Sequence, residues 1–149
     1  MTPRQIRAFL AAGNATFTLQ SVPTGRHFTY RLKVGKDGPA FSTSALYASL
    51  LIAPDTYAYI GMVRPTTKHL IGRLWITGAS KCNSGSPAFR ALAWFLYQLD
   101  VSVFDDAADV HPDVIFRHEG RCGACARPLT TPESVDRGIG PDCFERLGQ

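Results

Sequence analysis

An α+β fold is predicted for this chain of 149 residues: an antiparallel sheet of about five strands packed on two helices, with a small cysteine-bearing module at the C-terminal end. Three observations predict it. Several runs of six to nine residues alternate between apolar and polar side chains, as strands of a half-buried sheet do. Two stretches that begin Thr-Pro and Ser-Pro carry apolar residues at helical spacing. Near the end, large apolar residues thin out while cysteines gather.

Taken in order, Thr2 before Pro3 is a helix start, and Ile6, Phe9 and Leu10 form one face until Gly13 ends the run. From Asn14 to Val22, Ala15, Phe17 and Leu19 alternate with Thr16, Thr18 and Gln20. Pro23-Thr24-Gly25 is turn chemistry, and alternation resumes from Arg26 to Val34. These two runs predict a hairpin with Phe28, Tyr30, Leu32 and Val34 inward and His27, Thr29, Arg31 and Lys33 on the solvent face. Gly35 to Pro39 reads as a loop. Further strands are expected at Leu46 to Ile52, Tyr57 to Val63 and Leu70 to Thr77. Ser86-Pro87 opens the strongest helix, Ala88 to Leu99, with Phe89, Leu92, Ala93, Leu96 and Leu99 as its core stripe. Trp94, Phe95 and Tyr97 leave it apolar almost all round, which predicts cover on both sides, by the sheet and by either the C-terminal module or a partner.

Charge divides the chain. Residues 1–100 hold eleven Lys/Arg against three Asp, a net +8, whereas residues 101–149 hold five Arg against nine Asp/Glu, a net −4. The expected organisation is a basic domain at 1–100, an acidic connector at 101–113 with Asp105, Asp106, Asp109 and Asp113, and a module at 114–149. Such asymmetry points to a polyanionic or acidic partner for the front part, or simply to a solvated basic surface. No basic start followed by an apolar run marks a secretory leader, and no apolar stretch reaches the roughly 18 residues of a membrane span. A cytosolic protein is expected, in which four cysteines serve as ligands or free thiols rather than disulfides.

The segment His118-Glu119-Gly120-Arg121-Cys122-Gly123-Ala124-Cys125, with Cys143 eighteen positions later, carries the clearest chemistry. Two cysteines separated by two residues can wrap one cation, because the turn between them aims both sulfurs the same way and its N–H groups can bond to the thiolates. Gly138 to Asp142 permits a turn, and Pro141 pre-sets a helix that places Cys143 in its first turn, where the positive end of the helix dipole favours a thiolate. The fourth donor expected is His118, with His111 the competitor. Soft and borderline ligands at tetrahedral geometry favour one zinc ion in a closed, structural site of treble-clef-like or zinc-ribbon-like form. Cys82 reads as a buried or free thiol. Thr130 and Glu133 stand at capping-box spacing for one more helix. Leu129, Val135, Ile139, Phe144 and Leu147 make too small a core for this segment, so the ion is expected to supply about 10 kcal/mol of its folding free energy.

The string His118-x-Gly120-x-Cys122-Gly123-x-Cys125-x-Arg127-x-Leu129-Thr130-x-Pro132-x-Ser134-Val135, closed by Gly138-Ile139-Gly140-Pro141-x-Cys143, resembles a family of small domains of unknown function widespread in phage and prophage proteins. Asn14 to Leu19 and Thr24 to Tyr30 are similar to the region before that domain in such proteins. The resemblance implies a phage or mobile-element origin and implies His118, Cys122, Cys125 and Cys143 as ligands.

For function, the leading expectation is non-enzymatic binding of single-stranded nucleic acid with little sequence specificity. Arg31 and Lys33 share an outer face, and if Tyr57, Tyr59, Arg73 and Trp75 join them the sheet offers cations for phosphates and rings for bases. The competing possibility puts those rings in the core. A second expectation is an interaction protein of counter-defence type that blocks or recruits a host factor, or a homodimer through the helix at 88–99. Enzymatic activity is not expected: there is no glycine-rich phosphate loop, no paired metal-binding histidines, no Gly-x-Ser-x-Gly elbow and no zinc-deaminase signature, and His27, His69 and His111 are isolated.

Overall fold

The computed structural model describes residues 1–35, 45–65 and 70–147. The expected loop at 35–39 lies, from Lys36 on, outside the described residues, as does His69. Helix α1 (Pro3–Ala11) begins with a reciprocal cap: Gln5 N–H donates to Thr2 Oγ1 and Thr2 N–H to Gln5 Oε1. Six strands follow the expected α+β pattern, β1 (Asn14–Ser21), β2 (His27–Val34), β3 (Leu46–Ala53), β4 (Thr56–Val63), β5 (Leu74–Trp75) and β6 (Val114–His118). They form one antiparallel sheet in the order β5-β4-β3-β2-β1-β6. Helix α2 (Pro87–Phe104) precedes β6, and the short helices α3 (Pro132–Arg137) and α4 (Pro141–Arg146) close the chain.

The sheet buries one face. Phe17 and Leu19 of β1, Tyr30 and Leu32 of β2, Leu46 and Ala48 of β3 and Ile60 and Val63 of β4 join Phe9 and Leu10 of α1 and Leu92, Phe95, Leu96 and Leu99 of α2 in one core. β6 pairs with β1 in the register Leu19↔Phe116 and Phe17↔His118, so the strand that opens the cysteine segment is an edge of the main sheet. Phe116 enters that core, stacked on Phe17 (5.5 Å) and Phe95 (5.7 Å) with its ring edge-on to Phe9 (5.9 Å). Tyr30 is fully buried and its hydroxyl donates to Ala88 O at 2.6 Å, joining β2 to the first turn of α2; burial raises this phenol above its ordinary range.

Two expectations about the elements are corrected. The strand read at Leu70 to Thr77 is reduced to Leu74–Trp75, because the N–H groups of Ile71 and Gly72 turn to Asp100 of α2 instead of a strand partner, at 2.7 and 3.0 Å. Helix α2 runs five residues beyond Leu99, since Ser102 and Val103 continue its buried face. On the outer side of that helix Trp94, Tyr97, Val101 and Phe104 are exposed in this chain, Phe104 to 83%. Among the described residues no helix is long and apolar enough to cross a membrane.

Candidate metal centre and exposed sheet face

After β6 the chain folds into a tight hairpin around the first two cysteines. Cys122 N–H donates to Arg127 O and Ala126 N–H to Cys122 O, both at 2.8 Å, while Leu129 N–H reaches Gly120 O and Arg121 pairs with Pro128. Ala126 completes the turn with φ of 63°. Helix α3 starts from Thr131, which accepts from Ser134 N–H; the cap lies one residue later than the expected Thr130. Pro141 then opens α4 with Cys143 as its third residue. A cysteine hairpin followed by a helix-borne cysteine is a treble-clef-like arrangement.

The hairpin turn leans directly on α1. A Cβ at Gly123 would stand 2.7 Å from Phe9 Cδ1 and 2.8 Å from Phe9 O, and one at Gly138 2.5 Å from Phe9 Cδ1. Gly123 also donates to Gly138 O and accepts from Asn14 N–H, at 2.8 and 2.7 Å. The small core of Cys122, Ile139 and Cys143 therefore includes Ala12, with Ala8, Ala124, Leu129, Phe144 and Leu147 around it. This corrects the expected apolar set: Val135 is exposed, and α1 contributes the missing surface.

The structure brings three of the four expected ligands together. Cys122, Cys125 and Cys143 are free thiols whose sulfurs lie within 4.8 Å of one another, so this end of the molecule could hold a metal ion. The donor set fits a soft or borderline cation. Ala124 N–H and Gly140 N–H point at Cys122 Sγ at 3.4 and 3.3 Å, as they would toward a metal-bound thiolate. Burial alone pushes the Cys122 thiol up, but the N–H groups of Gly140, Cys125 and Ala124 hold it below its ordinary range. Cys143 is raised, by burial first and by the neighbouring sulfurs, against the opposing pull of Arg146, whose Nη2 donates to Cys143 Sγ at 3.0 Å.

His118 is the correction. Antiparallel partners share a face, so the register with Phe17 turns its ring inward, 5.5 Å from the ring of Phe9, and it does not join the cluster of sulfurs. Its Nδ1 accepts from Gly120 N–H at 3.0 Å, and its Nε2 lies 2.8 Å from Val135 O. A carbonyl only accepts, so the Nε2–H tautomer is required and both ring nitrogens are spent as a strap between β6, the hairpin and α3. His111 packs edge-on against Trp94 at 4.9 Å, also outside the cluster. Cys82 stands apart, half-buried with its sulfur 3.8 Å from Ile60 O.

The other face of the sheet carries the remaining expected site residues. Register aligns Arg31 with Ser49 and Ser49 with Tyr59, and Lys33 with Tyr47, Met62 and Trp75 in turn. Arg31 lies over the ring of Tyr57 with its Cζ 4.0 Å from the centroid, and Arg73 over Trp75 at 3.6 Å. Tyr59 packs on Tyr47 and meets Thr77 Oγ1 at 3.0 Å. None of Tyr57, Tyr59 and Trp75 is in the core, and Trp75 is 45% exposed. Tyr47, 42% exposed, and Arg117, opposite Thr18 on β6, share this face and were not anticipated. Alternation of Leu46, Ala48 and Leu50 against Tyr47, Ser49 and Leu51 contained the signal for Tyr47, whereas Arg117 depended on knowing that β6 pairs with β1.

Neither a curated protein nor a solved structure matches the chain. Residues 116–148, from the Phe116 that anchors β6 through all three clustered cysteines, are similar to the Family of unknown function (DUF6011).

Proposed function

We propose that this chain is a non-enzymatic, cytoplasmic protein of phage or mobile-element origin that binds single-stranded nucleic acid through the outer face of its sheet and carries one zinc ion at Cys122, Cys125 and Cys143. The observation that carries the binding part is the shared face: Arg31, Lys33 and Arg73 stand among Tyr47, Tyr57, Tyr59 and Trp75. Cations attract the phosphate chain, and aromatic faces accept any base, which suits binding without sequence readout. The guanidinium groups already over Tyr57 and Trp75 extend those platforms, since a base stacks on a guanidinium plane as well as on a ring. The zinc part is supported by three clustered thiols and the N–H groups aimed at one of them.

Titration with a labelled single-stranded oligonucleotide at several salt concentrations tests the binding. With four cations on the face, Arg31, Lys33, Arg73 and Arg117, log Kd should rise with log salt at a slope of about 3. Tyr57→Ala and Trp75→Ala should each weaken binding by about 1–3 kcal/mol. Unchanged affinity in the double variant Arg31→Glu, Lys33→Glu removes the face from consideration. A second reading, contact with a host protein or a homodimer, draws on the exposed stripe of Trp94, Tyr97, Val101 and Phe104 on α2. A complex that persists at high salt, with no oligonucleotide bound at low salt, favours that reading over the first.

A further inference from the structure

Closed zinc sites in proteins use four donors, and three stand together among the described residues. Among the described residues no fourth His, Cys, Asp or Glu joins Cys122, Cys125 and Cys143. His118 has both ring nitrogens committed to Gly120 and Val135. A second Cys-x2-Cys pair beginning at Cys143 would place its partner at position 146, one helical turn along α4, but that position holds Arg146. A guanidinium is a donor without an acceptor and does not ligate a cation; this one donates to Cys143 Sγ instead. The three sulfurs line one cleft of about 540 Å³ together with Arg127, Asp142 and Arg146, and Cys125 at its rim is exposed.

We propose that the metal is held by these three cysteines alone and takes its fourth ligand from outside the chain, as a small anion. Two features select an anion. Cys122 and Cys143 are buried in the small core, but Cys125 is exposed and all three line one cleft, so a ligand from solvent can reach the position and exchange. Arg127 and Arg146 line that cleft, Arg146 with its guanidinium on the Cys143 sulfur, and charge-assisted hydrogen bonds from such side chains favour an anionic ligand over water or a neutral amine, while Asp142 is the single carboxylate in the lining among the described residues. Arg146 then has two tasks, as donor to the Cys143 sulfur and as part of the anion's seat. This inference rests on the metal reading of the cluster and adds the identity of the fourth donor.

The test uses the full chain. X-ray absorption of the zinc-loaded protein should show three sulfurs and one light donor without the outer-shell pattern of an imidazole. After cobalt substitution, azide and mercaptoacetate should each shift the cobalt absorption bands saturably. Arg127→Gln should load cobalt in the same ratio yet bind either anion at least about tenfold more weakly, and Arg146→Gln should weaken anion binding at least as much per cobalt loaded. Failure to take up any metal would refute the metal reading itself. Uptake accompanied by an imidazole signature would refute this inference alone, as would bands indifferent to both anions. A spectrum that changes with protein concentration would assign the position to a side chain of a second molecule, and would equally overturn it.

Discussion

Gly123 has no room for one added carbon, and the obstacle is partly backbone. A methyl group there meets Phe9 Cδ1, which a ring rotation can move, and Phe9 O, which is fixed because it accepts from Ala12 N–H at the end of α1. Gly123→Ala is therefore expected to destabilise the protein by about 1–3 kcal/mol, the usual range for overpacking a tight contact. Adding Phe9→Leu should recover little of the loss, because it leaves the carbonyl in place. Urea midpoints of the single and double variants measure both. Full recovery in the double variant would show that the ring alone sets the limit. The sequence marks Gly123 as a turn glycine, which is true locally. Its contact with a residue more than a hundred positions earlier has no local signature.

Among the elements, Asp100 ties α2 to the chain just before β5. Its carboxylate accepts from Ile71 and Gly72 N–H, and Arg7 of α1 faces it electrostatically. Burial raises the carboxyl above its ordinary range, more than those N–H groups and Arg7 lower it. A folded value above the unfolded one means the native state holds the proton more tightly, so ∂ΔG/∂pH for unfolding is negative across the interval. Stability from this group is complete below the ordinary carboxylate range and is lost as pH rises through the raised folded value. Relative to Asp100→Asn, the wild-type urea midpoint should therefore fall as pH is raised from about 3 toward 7; a rising difference would contradict the sign. The same carboxylate explains why the expected strand at 70–77 was legible only in part. Alternation announces that Leu74 faces inward, but not that a helix side chain captures the two amides before it. Facing within the β1–β2 hairpin was fully legible, because period two and a short turn settle it locally. The pairing of β6 with β1, and with it the direction of His118, was not, since edge pairing across about a hundred residues depends on which surfaces meet after the chain has collapsed. For the cysteines the spacing was enough, because a two-residue turn constrains both sulfurs whatever the rest of the fold does.

Across the whole molecule, the basic sheet face and the cysteine cluster lie on elements that meet through α1, β1 and β6 but use different residues. The hairpin hangs on Asn14, Phe9 and the strap of His118, while the aromatic and basic face is built on β2 to β5, with Arg117 of β6 at its margin. If zinc binding and folding are coupled at the C-terminal end, removing the ion withdraws a stabilising contribution from that end alone. Chelation of the full chain should leave the amides of β6, paired to β1, protected from hydrogen exchange. Those of Ala124 and Gly140, which point at Cys122 Sγ, should exchange faster. Oligonucleotide affinity measured on the same chelated sample should stay within about twofold of the loaded protein, the limit expected for distant sites without shared partners. Global loss of protection would mean that the ion stabilises the sheet as well, through Phe9 and β6. A large loss of affinity with the sheet still protected would move nucleic-acid contact onto the cysteine module, where Arg121, Arg127 and Arg146 are the exposed cations.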